Sequence, residues 1–365
     1  MKHSSDIKHS AKDRNLFILA IVLTTLGLIA VADASAPQAL QEFSDKFYYV
    51  KQQLVWAVTG IIAMITLANI PYKLWEKIAV PIFAVGIGLL AVILIPGVTA
   101  QILGAKRWIH WGPVTIQPSE VIKLSLVIYL AKVSVKKKQI LAFLIPLFIV
   151  CGLIMLEPDL GTTLIVLVIG LTQIFMSEVN VFKFIGAILA AGAGSFLLVM
   201  TSAYRRSRLM TFLQKSEDPL GKDYHIRQIL FGLGSGGFWG VGLGQSRQKF
   251  LFLPESATDS ILAVIAEEIG FIGVLVLIVL FGLFVYKGLV IAKHAPDKFG
   301  QILAVGITAW IGGQTLLNIS AITALLPLTG VPLPFFSYGG SSLITVLAAT
   351  GILLNISKSS YVKSR

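Results

Sequence analysis

The chain has 365 residues, of which 56% are hydrophobic and 13% charged, and its mean hydropathy is +0.83. A soluble domain carries about 25% charged residues, so this composition excludes a water-soluble domain and indicates an integral membrane protein with many spans. The net charge of +12 is spread as short basic clusters between apolar runs, a pattern of membrane topology that argues against a nucleic-acid partner. Cys151 is the single cysteine, so no intrachain disulfide exists and redox compartment is not legible.

Residues 1–15 form a polar, basic tail. The run from Leu16 to Val31 is expected to be a first span, because Ala32-Asp33-Ala34-Ser35 is a poor signal-peptide cleavage context. Further apolar runs lie near 53–70, 78–96, 118–135, 138–156, 160–177, 181–202, 259–288, 299–326 and 337–357. Each has about the 20 residues that a bilayer requires of a helix. The expected fold is therefore an all-α polytopic membrane protein with ten transmembrane helices over 16–357. It carries a large extracytoplasmic loop, 203–258, between helices seven and eight, and ends in a tail over 358–365. Basic residues assign the sides: with both termini cytoplasmic, Lys73, Lys77, Lys132, Lys136, Lys137, Lys138, Lys287 and Lys293 all fall inside. This topology puts the polar, motif-like stretches on the outer face. No Walker motif and no internal repeat is present, which weighs against transport driven by ATP or built on inverted repeats.

Four stretches hold the candidate chemistry. In Gly104–Glu120, Lys106 and Arg107 stand beside Trp108 and Trp111. They read either as a phosphate site at headgroup depth or as an aromatic belt with snorkelling bases. Glu120 and Lys123 share a helix face and are expected to pair with each other or with a partner inside the protein. In EPDLGTT, Asp159 is either functional or the cap of the next helix. The large loop contains an amphipathic stretch around Tyr224–Phe231. A glycine-dense run follows, Gly232–Lys249, whose exposed amides, with Arg205, Arg206, Arg208, Arg247 and Lys249, suit a phosphate-bearing ligand. Gln314 and Asn318 lie on one helix face ahead of LPLTGVPLPFFSYGGSS, where prolines and glycines break the helix beside an expected outward cavity. Ser337 and Ser341 sit in that broken segment.

Asp259 is the acid on which these features converge, at the junction of the long loop and a long apolar helix. An ionisable group at a membrane edge is a functional candidate, although an Asp at a helix start also caps free amides. Glu267 and Glu268 follow about 80° and 180° around the helix from Asp259. All three acids therefore cannot face one site, and at most one glutamate is expected near the cavity.

In order and spacing, GAKRW, QPSE, EPDLGTT, GLGSGGFWGVGLGQSRQKFLFLPE, TDSILAVIAEEIG and PLPFFSYGGSS resemble the SEDS family of FtsW, RodA and SpoVE peptidoglycan glycosyltransferases, over residues 13–356. The loop resembles the FtsW branch most. The chain departs from the family pattern at Ala32-Asp33-Ala34-Ser35, at Ser256-Ala257 and at Ser260. The resemblance implies ten spans with both termini inside a bacterial cytoplasmic membrane, and polymerisation of lipid II into β-1,4 glycan on its outer face for septal wall synthesis. It makes Asp259 the base. It makes Lys106, Arg107, Trp108, Glu120, Lys123, Asp159, Arg205, Arg206, Lys249, Gln314, Asn318, Ser337 and Ser341 substrate-binding candidates. It further implies a class B penicillin-binding protein and other divisome membrane proteins as partners. No cofactor is demanded, although a divalent cation, Mg2+ or Mn2+, would assist the diphosphate. Two other roles stay open: a lipid II flippase, and a non-catalytic scaffold for the transpeptidase.

Overall fold

The computed structural model describes residues 3–95, 107–111, 114–136, 139–201, 206, 210, 224–250 and 252–362. Its helices are α1 (His3–Ala34), α2 (Ala36–Phe43), α3 (Tyr48–Asn69), α4 (Lys73–Ile93), α5 (Pro118–Lys136), α6 (Leu141–Leu156), α7 (Leu160–Met176), α8 (Val181–Thr201), α9 (Tyr224–Gly236), α10 (Ile261–Lys293), α11 (Lys298–Ile322) and α12 (Gly340–Val362). Among the described residues, seven helices are long and apolar enough to cross a membrane, against the ten expected. At 16 and 17 residues, α6 and α7 are apolar but short; at about 1.5 Å per residue each spans only about 25 Å. Helix α5 carries Glu120, Lys123, Lys132 and Lys136, so its apolar character is diluted by charge. The all-α expectation also needs a small correction. Strands β1 (Ile109–Trp111) and β2 (Val114–Ile116) form an antiparallel hairpin pairing Ile109 with Ile116, as β-branched residues favour.

Apolar side chains face outward along the helices, for example Phe182, Leu189 and Leu197 on α8, and Val55 and Ile62 on α3. In lipid this costs nothing, so the surface agrees with a membrane protein. The buried core instead centres on α11, whose Trp310, Ile311 and Ile307 are fully enclosed, and on α12, through Val346, Leu347 and Leu353.

Two breaks organise one end of the molecule. The first follows α11, where 323–339 is non-helical. Its backbone is satisfied by side chains: Gln314 Nε2 donates to Pro332 O at 2.9 Å, Asn318 Nδ2 donates to Val331 O at 2.7 Å, and Leu333 N donates to Ser337 Oγ at 2.7 Å. This is the condition under which broken helix survives at membrane depth. The second break lies within α10 at Gly270, with φ 68° and ψ −172°. There the glycine-dense run docks on the helix backbone. Val241 N and Gly242 N donate to Glu267 O and Glu268 O, and Phe271 N and Ile272 N donate to Gly237 O and Phe238 O.

This docking requires glycine at Gly240. Its φ is +81°, and a Cβ would lie 2.0 Å from Glu268 O. Gly240→Ala combines a backbone clash with left-handed strain, so a loss of about 2–4 kcal/mol is expected. Gly244, at φ +80° but with open space around it, is expected to lose only about 1–2 kcal/mol as alanine. Thermal unfolding of the two variants in detergent checks the difference.

Candidate active site

Asp259 lies one residue ahead of Ser260, the N-cap residue of α10, so it is not itself the cap. The turn that carries it is held by bonds at Asp259 and at both its neighbours. Asn318 Nδ2 donates to Asp259 O at 2.9 Å, Ser337 Oγ donates to Thr258 O at 2.6 Å, and Ser260 N donates to Glu255 O at 3.2 Å. Tyr338 N adds a bond to Ala257 O at 2.9 Å. The broken segment after α11 and the acid-bearing turn before α10 are thus one hydrogen-bonded unit.

From this unit a polar ladder runs inward. Gln314 Oε1 accepts from Lys123 Nζ at 2.9 Å and from Trp310 Nε1 at 2.9 Å. Lys123 Nζ also donates to Glu120 Oε1 at 2.7 Å and lies 5.1 Å from the centroid of the Trp310 ring. Glu120 Oε2 accepts from Thr345 Oγ1 at 3.3 Å. Both charges are buried, and their partners are the interior ones that the sequence suggested. Ser341 Oγ accepts from Gln117 N at 3.0 Å and donates to Thr115 O at 3.1 Å, fastening the hairpin to the start of α12. Asn318, Ser337 and Ser341 therefore bond protein backbone, and Gln314 bonds both backbone and the Lys123 and Trp310 side chains. Asn318 Oδ1 is buried without a hydrogen-bond partner among the described residues.

A second corner lies between α6 and α7. Asp159 caps α7, accepting from Thr162 N at 3.0 Å and from Thr162 Oγ1 at 2.9 Å. Arg107 closes over this turn, donating to Glu157 O at 3.2 Å and to Pro158 O at 2.7 Å. Trp108 beside it is half-buried. The corner packs on the broken segment at Gly161, where a Cβ would lie 2.7 Å from Thr329 O.

Glu157 matters more here than its neighbour Asp159. The residue is 2% exposed, and both carboxyl oxygens lack a hydrogen-bond partner among the described residues. Burial pushes its pKa up to about 8; the charge of Asp159 adds to the shift and that of Arg107 opposes it. The folded protein thus holds this proton more tightly than the unfolded chain does. Stability from this group is full below about pH 4.5, and declines as the pH rises towards about 8. Glu157→Gln is expected to remove the decline, with a gain in stability that grows from about pH 5 to about pH 8 and reaches a few kcal/mol, seen as a rising melting temperature relative to wild type. Melting curves across that range check it.

The basic loop residues separate. Lys106 and Arg205 lie outside the described residues. Arg206 is exposed. Lys249 is buried, and its ammonium pairs with Asp33 at 2.7 Å and Glu268 at 2.8 Å. The amides of the glycine-dense run do face an anion, but one within the chain. Arg247 N and Gln248 N donate to the Glu267 carboxylate at 3.3 and 3.2 Å, Ser246 N donates to Glu268 Oε1 at 3.2 Å, and Ser246 Oγ donates to Glu267. Glu267 and Glu268 thus both anchor the loop; neither joins Asp259 through any of these bonds. Among the described residues, no group of three His, Cys, Asp or Glu side chains is arranged to hold a metal ion.

Reading the sequence alone gave no site role to two residues near the acid, His225 and Ser260. His225 Nε2 lies 2.8 Å from Ser260 Oγ. Nothing local signals a contact between residues 35 apart, and only the packing of α9 on α10 produces it.

A family model described as cell cycle protein, covering FtsW, RodA and SpoVE, matches residues 13–362. The stage V sporulation protein E of Bacillus subtilis (strain 168) is 41% identical over 96% of this chain and 98% of its own. A probable peptidoglycan glycosyltransferase FtsW of Trichlorobacter lovleyi is 39% identical over 94% of this chain and 93% of its own. Among solved structures, a chain of a peptidoglycan synthase complex that coordinates polymerisation and crosslinking superposes with a TM-score of 0.77 at 26% identity, covering 95% of this chain and 98% of that one. The rod shape determining protein RodA of Thermus thermophilus gives 0.70 at 26% identity, covering 95% and 97%. With the family model spanning nearly the whole chain, and the acid-bearing turn, the broken segment and the buried pair joined in one unit, this protein belongs to the FtsW, RodA and SpoVE family of membrane proteins.

Proposed function

We propose that the chain is a peptidoglycan glycosyltransferase that polymerises lipid II on the outer face of the cytoplasmic membrane for septal wall synthesis. Ten spans, both termini cytoplasmic and an extracytoplasmic site belong to this reading. The C4 hydroxyl oxygen of the acceptor sugar attacks the anomeric carbon of the donor, and the bond to undecaprenyl diphosphate breaks with inversion. The hydroxyl proton passes to Asp259, and the electron pair leaves with the diphosphate. The observation that carries the reading is the fixing of Asp259: its turn is tied by Asn318 and Ser337 to the broken segment, so the carboxylate is presented by a rigid frame. Names borne by relatives in the same family support the reaction class.

Basic residues, Lys106, Arg205 and Arg206 among them, would receive the diphosphate. Mg2+ is commonly held by one or two carboxylates together with substrate phosphates. Among the described residues no group of three His, Cys, Asp or Glu side chains is arranged to hold a metal ion, so a divalent cation here would be held mainly by the substrate diphosphate. A class B penicillin-binding protein and other divisome membrane proteins are the proposed partners, in line with the synthase complex that the fold resembles.

The test uses purified protein, alone and with its cognate transpeptidase, given lipid II and assayed for glycan strands. Strand formation abolished by Asp259→Asn supports the reading. Lipid II flipping in liposomes without strand formation supports transport instead. Growth and division unaffected by Asp259→Asn, but lost on disrupting the transpeptidase contact, support a scaffold.

A further inference from the structure

The proposed reaction leaves His225 and Ser260 without a role, yet the fold delivers both to the base. Helix α9 lies on α10 through its buried face, Ile229, Gly232 and Gly236. A Cβ at Gly232 would lie 3.3 Å from Ala263 O, so the two backbones run close together. This packing sets His225, in the first turn of α9, against the start of α10, with Nε2 2.8 Å from Ser260 Oγ. Ser260 is buried, and its Oγ lies 3.4 Å from Asp259 Oδ1. Although Ser260 occupies the N-cap position, its side chain makes no capping bond. Its hydroxyl is turned to the histidine and the acid instead.

One proton inventory fits this geometry. A serine hydroxyl has a single hydrogen. When that hydrogen is given to Asp259 Oδ1, the serine oxygen is left to accept from His225 Nε2–H. The two bonds then point the same way, from imidazole to hydroxyl to carboxylate, and each polarises the next. The 3.4 Å step is long, as such contacts often are before substrate closes a site. Asp259 Oδ2 lies 3.6 Å from where a Cβ would stand at Gly330, whose φ is +68°. The backbone of Asp259 is fixed by Asn318, and the Ser260 hydroxyl adds a contact to the carboxylate itself.

We propose that His225 and Ser260 are positioning residues for Asp259: through Oδ1 they orient its carboxylate for the sugar hydroxyl. The proposal rests on the reading of Asp259 as the base. Neither residue touches substrate; both act through the orientation of the carboxylate.

Steady-state polymerisation of lipid II by the full-length protein, with its transpeptidase where activity requires it, tests the proposal. Ser260→Ala and His225→Ala are each expected to lower kcat by about 10–100-fold with KM changed by less than about twofold, the size of effect that a misoriented group produces. Ser260→Thr keeps a hydroxyl, and His225→Gln keeps an N–H near the position of Nε2; both are expected to recover most of the rate. The double variant Ser260→Ala/His225→Ala is expected to be no slower than the worse single, because the two act as one unit. Unchanged kcat in both alanine variants, an effect confined to KM, additive losses, or no recovery in Ser260→Thr and His225→Gln would each overturn the proposal. If that happens while Asp259→Asn is inactive, the base reading stands and only the positioning role falls. Full activity in Asp259→Asn overturns both.

Discussion

Asp259→Asn is expected to lower the rate of glycan polymerisation by about 10²–10⁴-fold, the range that a general base contributes. The substitution is nearly isosteric. It removes the charge and the proton-accepting oxygen but leaves the backbone bond from Asn318 to Asp259 O and the bond from Ser337 to Thr258 O. The melting temperature is therefore expected to move by only a few degrees. Asp259→Glu restores the charge on a side chain one methylene longer. A displacement of about 1 Å is enough to cost about 10²-fold, so this variant is expected to fall between wild type and Asn. Retention of full polymerisation by Asp259→Asn in a protein with a normal melting curve would remove the base from the mechanism.

Lys123→Met is expected to have the largest effect on stability, about 3–5 kcal/mol, because it leaves the Glu120 carboxylate buried and unpaired. Lys123 is fully enclosed between Glu120, Gln314 and the Trp310 ring. The pair also links α5 to α11, so its loss is felt along the ladder that ends at Asp259. Glu120→Gln/Lys123→Met removes both charges at once and is expected to recover most of the melting temperature, as replacing a whole buried pair does elsewhere. Polymerisation by the double variant then decides its role. Activity restored together with stability makes the pair a framework, whereas stability without activity gives the charges a part in binding substrate. A double variant as unstable as Lys123→Met would show that the cost arises from packing and not from the unpaired carboxylate.

The two halves of the site were unequally legible. Gln314 and Asn318 were visible as a polar face ahead of a broken helix, and both bind the broken segment. Asp159 carried its capping alternative openly, and Thr162 confirms the cap. The glycine-dense run was read as a bed of amides for a phosphate-bearing ligand. The anion, however, is Glu267 at the end of a two-turn stretch of α10, and the cation beside it, Lys249, is neutralised by Asp33 and Glu268. A sequence shows that donors are present, but not whether the chain has already used them.

The sequence by itself determined what depends on local composition. Apolar run length specified a membrane protein, glycine and proline marked where helices break, and six motifs in order identified the family. The tertiary structure alone decided which polar groups meet. Lys123 finds Gln314 across 191 positions, Lys249 finds Asp33 across 216 and His225 finds Ser260 across 35. Hydropathy is a property of neighbouring residues, so it survives in the linear pattern. A hydrogen bond or ion pair between distant segments exists only once helices pack, and in an interior of low dielectric that packing separates a satisfied charge from an available one.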